Sequence, residues 1–399
     1  MVEPPPTPSE IGEHSFFRIV AWLSGDECHE LDDAGMAAAL GQRLRAAGLP
    51  LDRLTLFLRK LHPEIFARTV AWAPNEPVEI LDRKHGLEHS VAFLGSPLRQ
   101  VVETRRKLVV RVPGRAQGRS PNWMQIDVFR DRNLAEFVIA PLCGNDGPVS
   151  VAVFATAGVS GFRAADHTLL EHILPALRTA CEVRSLRQAE LTLLDTYVGA
   201  ATAQRILAGG TRRGQIESLE AALLLCDLRD FTGLSNRLPG DRVLELLNGY
   251  FDRVIPSIID AGGEVLKFMG DAVLAYFSCG TPRVSSIAAL SAARCMLEKL
   301  ANPAVAETEL HAGVALHYGN VSYGNIGSGT RLDFTVIGPD VNLVSRIQTV
   351  CGATGCSLLM SARFAALIDK AGYQSVGTHR LKGFEEPAEL FTLGAEDLQ

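Results

Sequence analysis

The sequence predicts an α+β protein with two domains joined by a helical stretch. Three observations carry that expectation. The first is size: 399 residues, 47% of them hydrophobic and 21% charged, suit two domains and can fill real cores. The second is a strand–helix–hairpin pattern over residues 221–277. The third is an N-terminal half in which helical patterns bracket short runs of alternating or unbroken apolar residues.

Residues 1–12 are proline-rich and expected to be disordered. A helical pattern covers 13–47, around Ile19, Trp22 and Leu23 and then Met36, Leu40 and Leu44. Gly48, Leu49 and Pro50 break it. Residues 51–61 and 67–74 read as a hairpin, with Leu54, Leu56 and Leu58 alternating. A helix around Leu98, Val101 and Val102 then precedes a strand at 108–112. The basic segment 111–123 reads as a solvated loop. Residues 135–158 read as two strands joined at Gly144, Asn145, Asp146 and Gly147. Cys143 reads as a buried strand-end thiol.

A long helix follows, with Leu170, Ile173, Leu174, Leu177 and Cys181 on one stripe. It continues with interruptions through Leu186, Leu191, Leu194, Val198 and Ile206 toward Leu207, until Gly209 and Gly210 end it. Such a helix suits either a parallel two-chain pairing or simple docking. Next comes the apolar run Ala221–Cys226, a buried strand closed by Asp227. Val243, Leu246, Leu247, Tyr250, Phe251 and Val254 recur at helical steps, and Gly262 and Gly263 stop them. Residues 265–277 read as a hairpin tipped by Gly270 and Asp271.

Asp227 and Asp271 therefore each sit at a strand-end turn. Carboxylates so placed can hold a pair of divalent cations, hard ions whose oxygen shells close on substrate phosphates. The alternative is two aspartates solvating loops. Asp227 follows an unbroken apolar run, where a desolvated carboxylate is costly unless paired or metal-bound.

A net charge of −6 supplies no electrostatic reason for nucleic acid or an anionic membrane as partner. The N-terminus lacks a basic start and an apolar core, and no apolar run approaches the length of a membrane span. Eight cysteines without CxxC spacing read as small buried hydrophobes in a reducing compartment, so the expected location is cytoplasmic.

Five segments in order, CDLRDFTGLS, KFMGDAVLAYF, GVALHYGNVSYGNIGS, DFTVIGPDVNLVSRI and LKGFEEP, resemble the class III nucleotidyl cyclases. The resemblance implies a ferredoxin-like, palm-type catalytic domain over 217–393, followed by a tail at 394–399. It implies a homodimeric adenylate cyclase that converts ATP to 3′,5′-cyclic AMP and pyrophosphate. Asp227 and Asp271 match the family's ligands for two Mg²⁺ or Mn²⁺ ions. Backbone groups of Leu228 to Thr232, with Phe231 between, match its triphosphate cradle; Asp230 stands where glycine is usual. Asn342 and Arg346 match the transition-state pair, with Pro339 in place of a common aspartate. Lys382 matches the phosphate-gripping lysine, while Lys267 and Thr335 match the purine-reading pair. A degenerate nucleotide-binding regulator and a guanylate cyclase are the alternatives. The presence of all five metal, transition-state and phosphate residues argues against the first, and Lys267 against the second.

More loosely, residues 13–183 look like a GAF-type sensor for a small molecule or other signal, with 184–216 as the helical linker.

Overall fold

The computed structural model describes residues 8–112, 132–142, 149–302, 310–368 and 372–394. The chain divides into two compact units, Met1–Leu193 and Leu194–Gln399. The basic segment beyond Val112, Cys143 and the Gly144–Gly147 turn lie outside the described residues.

In the first unit α1 (Pro8–Leu23) opens inside the stretch expected to be disordered. Pro8 at the first position costs little, because an N–H there would have no helical partner anyway. Then come α2 (Asp26–Glu30) and α3 (Asp33–Ala46), capped by the Asp32 carboxylate on the Gly35 N–H at 2.6 Å. The expected hairpin is β1 (Arg53–Arg59) with β2 (Ile65–Trp72). A charged strand the apolar pattern does not signal, β3 (Glu79–Lys84), pairs with β2, and Arg68 holds Asp82 at 2.7 Å across that edge. After α4 (Val91–Leu94) and α5 (Pro97–Thr104) come β4 (Leu108–Arg111), β5 (Glu136–Leu142) and β6 (Ser150–Thr156).

The sheet is antiparallel in the order β3-β2-β1-β6-β5-β4. One face packs Leu54, Leu56 and Trp72 against Ile19, Met36 and Leu40, and against Ile173 and Leu177 of α6 (Ala164–Val198). The other face packs Phe57 and Ile139 against Val101 of α5.

The long helix expected from Asp166 toward Leu207 is broken once. α6 ends at Val198, Gly199 takes φ 83, and α7 (Ala200–Leu207) follows. Only glycine adopts that backbone cheaply.

The second unit is built on β7 (Ile216–Leu228), α8 (Phe231–Arg237), α9 (Gly240–Asp260), β8 (Glu264–Met269), β9 (Ala272–Phe277), α10 (Pro282–Ala301) and β10 (Ala312–Gly327). These strands lie in the order β10-β7-β9-β8 with every neighbour antiparallel, the split βαβ arrangement expected. The sheet is extended by β11 (Leu332–Ile337), β12 (Leu358–Ser361), β13 (Tyr373–His379) and β14 (Ala388–Leu393), with α11 (Pro339–Thr354) and α12 (Ala362–Ala365) between them. Ala222, Leu224 and Cys226 of β7 pack with Tyr250 and Val254 of α9 and Ala289 of α10. Ala221, Leu223 and Leu225 point the other way, toward Val344 and Ile347 of α11. The alternation of β7 thus leaves a sheet with helices on both faces.

Gly41 in α3 gives the first unit a sharp test of packing. A Cβ there would lie 2.2 Å from the Trp72 ring. Gly41→Ala should therefore lower stability by about 1–3 kcal/mol through overpacking, although alanine is the better helix former by roughly 1 kcal/mol. Urea unfolding followed by Trp fluorescence reads this; a variant as stable as the parent would mean that Trp72 is not seated on α3.

Candidate active site

The apolar run of β7 ends on Asp227, the strand's penultimate residue, in step with Leu223 and Leu225 and so on the α11 side. Asp227 pairs with Gly313 across the β7–β10 ladder. Its neighbour Cys226 is anchored beneath, with Sγ 3.1 Å from the Tyr250 hydroxyl of α9. The β8–β9 turn, through Gly270 at φ 70, brings Asp271 to the same place. Burial, and then the facing Asp271 carboxyl, push the Asp227 pKa up to about 6. Among the described residues no cation offsets that repulsion at Asp227.

The residues present fit a divalent ion that arrives with phosphate. Two facing carboxylates supply charge, yet no group of three or more His, Cys, Asp or Glu side chains is assembled among the described residues. Phosphate and water oxygens would have to complete the shell, as Mg²⁺ prefers.

The turn after β7 differs from the expected cradle in its first half. Leu228 is the paired last residue of the strand with its side chain in the core, and the Arg229 N–H donates to the His311 carbonyl at 2.8 Å. Open backbone donors therefore begin at the start of α8, with Phe231 half-buried and Thr232 exposed. Asp230 takes φ 55, the left-handed conformation that favours the glycine usual there. Its carboxylate accepts from Arg237 at 2.9 Å, so the extra negative charge is paired within α8.

Lys267 on β8 donates to Asp333 Oδ2 at 2.7 Å, two residues before Thr335 on β11. The structure thus brings the two base-reading candidates into one neighbourhood, with Thr335 only 4% exposed. The Asp333 partner went unread in the sequence. Its signal was the period of two that puts 333 and 335 on one face of a strand.

Asn342 and Arg346 lie one turn apart on α11, Asn342 exposed and Arg346 half-buried. Arg346 Nε is buried with no hydrogen-bond partner among the described residues. Gln348, further along, donates from Nε2 to the Gly313 carbonyl at 2.9 Å, holding α11 on the strand opposite Asp227. Lys382 is exposed in the turn between β13 and β14, before Gly383 at φ 90. Among the described residues no hydrogen bond or ion pair joins Asn342, Arg346 or Lys382 to the carboxylate pair.

Residues 216–394 match the family model described as the adenylate and guanylate cyclase catalytic domain. The chain is 32% identical over 221 residues to an uncharacterized protein of Mycobacterium tuberculosis, covering 52% of this chain and 39% of the other. It is 30% identical over 154 residues to an adenylate cyclase of Anabaena cylindrica, covering 37% of this chain and 30% of that one. Among solved structures, the adenylyl cyclase CyaB from P. aeruginosa is similar at 26% identity and a TM-score of 0.41, over 45% of this chain and 95% of that one. The chain spans less than two-fifths of the length of both curated relatives. Residues 216–394 are thus similar to cyclase-type catalytic domains. No helix among the described residues is long and apolar enough to cross a membrane.

The raised Asp227 pKa has a signed consequence. The folded chain holds this proton up to about pH 6, whereas an ordinary aspartate at 3.8 has lost it. The group's destabilising contribution is therefore absent below about pH 4, grows through pH 6, and is then constant. Mn²⁺ should raise the thermal midpoint at pH 7.5 more than at pH 5, and Asp227→Asn should abolish the difference. An equal Mn²⁺ shift at both pH values, or one that survives in Asp227→Asn, would contradict metal binding by this pair.

Proposed function

We propose that this chain is an adenylate cyclase acting as a homodimer, with its N-terminal unit as a GAF-like regulatory domain. One observation carries the reading: among the described residues Asp227 and Asp271 face each other with no cation opposite them, while Asn342 and Arg346 stand on α11, where Arg346 Nε has no hydrogen-bond partner. The match to the cyclase domain supports it, as does the adenylate cyclase named among the relatives.

In the proposed reaction the 3′-oxygen of ATP attacks the α-phosphorus. The bond from that phosphorus to the bridging oxygen of pyrophosphate breaks, and the 3′-hydroxyl proton passes to solvent. Asp227 and Asp271 would hold two Mg²⁺ or Mn²⁺ ions, which supply charge neutralisation and acidify the 3′-hydroxyl. Asn342 orients the ribose. The Arg346 guanidinium meets negative charge growing on the α-phosphate, which its planar fork binds in fixed geometry. Lys382 grips the terminal phosphates, and the N–H groups around Phe231 and Thr232 take part in the triphosphate cradle.

Lys267 would donate to adenine N1, and the Thr335 hydroxyl would accept from the N6 amine. Guanine carries a proton at N1, so it would meet the ammonium donor to donor. The observation that favours GTP instead is Asp333, whose carboxylate sits beside Lys267 and could accept from guanine. Purified chain incubated with Mg²⁺ or Mn²⁺ and either ATP or GTP separates the two, with products identified by mass spectrometry. Cyclic AMP should exceed cyclic GMP by at least about tenfold, and Asp271→Asn should cut turnover by orders of magnitude in folded protein. Predominant cyclic GMP would reverse the base assignment, and no cyclic product would end the cyclase reading.

A site shared between two copies is testable by complementation. Asp227→Ala and Arg346→Ala should each be inactive alone. Co-expressed, half the dimers are mixed and half their sites are whole, so about a quarter of the parental activity should return. Recovery near zero, with mixed dimers verified by a two-tag pull-down, would place each site within one chain.

A further inference from the structure

We propose that His317 is a positioning residue that clamps the first turn of α11 through Asp340 and so aims Asn342 and Arg346; the catalytic half of this rests on the cyclase reading above. His317 lies on β10 and is only 2% exposed. Both ring nitrogens are partnered: Nε2 stands 3.1 Å from Asp340 Oδ1 and Nδ1 stands 2.7 Å from Ser361 Oγ.

The partners define the tautomer. Ser361 Oγ accepts the Phe364 N–H at 3.2 Å, capping α12, so its own proton is available to Nδ1. The Asp340 carboxylate only accepts, so the ring proton belongs on Nε2. A neutral imidazole satisfies every contact, and burial, the largest influence on the ring, disfavours the charged form. The charged groups around the ring are Asp340 itself and Arg363 of α12, whose guanidinium is 3.9 Å from Asp340 Oδ2.

Asp340 collects these ties at the second residue of α11. Its Oδ2 also accepts the Asn320 N–H at 2.7 Å. The fit is close: a Cβ on Gly319 would sit 2.1 Å from that oxygen. The chain enters the helix through Gly338 at φ 147, where the backbone alone offers little restraint. Gln348 fixes the helix again about two turns further on. Asn342 and Arg346 lie between the two fastenings. Displacing a group that meets the transition state by about 1 Å costs on the order of a hundredfold in rate.

The test compares His317→Ala, His317→Gln and His317→Asn by kcat and KM for ATP, thermal midpoint, and amide hydrogen exchange across residues 338–346. His317→Ala should lower kcat by about tenfold or more while KM moves less than about twofold, since Arg346 acts mainly in the transition state. Exchange across 338–346 should quicken. Glutamine places its amide nitrogen near the position of Nε2 and should recover most of kcat; asparagine reaches only the Nδ1 position and should not. A packing role alone would lower all midpoints and leave the folded fraction's kcat unchanged, which would overturn the proposal. So would equal behaviour of the glutamine and asparagine variants. Absence of cyclic product from the parental chain would instead overturn the cyclase reading, and with it the catalytic role of the clamp.

Discussion

The antiparallel ladder between β7 and β10 is the constraint on which the second unit depends. It runs from Ile216 opposite Gly324 to Leu228 opposite Ala312, with Asp227 across from Gly313. On one side of it β9 brings the Asp271 turn; on the other, β11 and β12 seat Thr335 and Ser361. A slip of one residue would turn Asp227 from the α11 side into the core with Tyr250. The register is protected by alternation of Ala221, Leu223 and Leu225 against Ala222, Leu224 and Cys226, each set buried on its own face.

That same burial creates the electrostatic problem the site embodies. Strand order drives two carboxylates together where water is partly excluded, and the result is the elevated Asp227 pKa rather than an ion pair. Three basic groups of this unit are engaged elsewhere: Lys267 with Asp333, Arg229 with the Cys356 carbonyl, Arg237 with Asp230. Like charges gathered with no cation opposite them among the described residues favour a cationic ligand.

The helix before β7 is tied into the sheet of the second unit. Thr202 of α7 shares a buried hydrogen bond of 2.6 Å with the Tyr323 hydroxyl, and the Arg205 guanidinium lies 4.5 Å over the Tyr323 ring. Tyr323 pairs with Val336, next to Thr335, so α7 rests close to the strand that carries a base-reading candidate. In the first unit, Asp33 at 2% exposure is paired with Lys60 at 3.0 Å and Arg68 at 3.6 Å. Arg184 of α6 donates to the Cys28 carbonyl at 2.6 Å and approaches Asp33 at 4.0 Å, fixing that helix to α2 and α3. Truncating one member of such a buried network leaves the others uncompensated.

The sequence by itself determined the local elements. Unbroken or alternating apolar residues marked β7, β1 and β6, helical spacing marked α9 and α6, and the Gly262–Gly263 pair marked the end of α9, whereas α6 stopped at Gly199, short of the Gly209–Gly210 pair expected to end it. It also singled out Asp227 and Asp271 by their strand-end turns, while Lys267, Asn342 and Arg346 came from the resemblance to the nucleotidyl cyclases. It missed β3, whose charged residues at an exposed edge carry no apolar period, and it placed disorder where α1 begins. Only the tertiary structure decided the partners: Lys267 with Asp333, His317 with Asp340 and Ser361, Arg229 N–H with His311. The physical reason is range. Periodicity and turn chemistry act over a few residues, whereas a charge or hydrogen bond answers to distances that strand pairing sets between residues far apart in the chain.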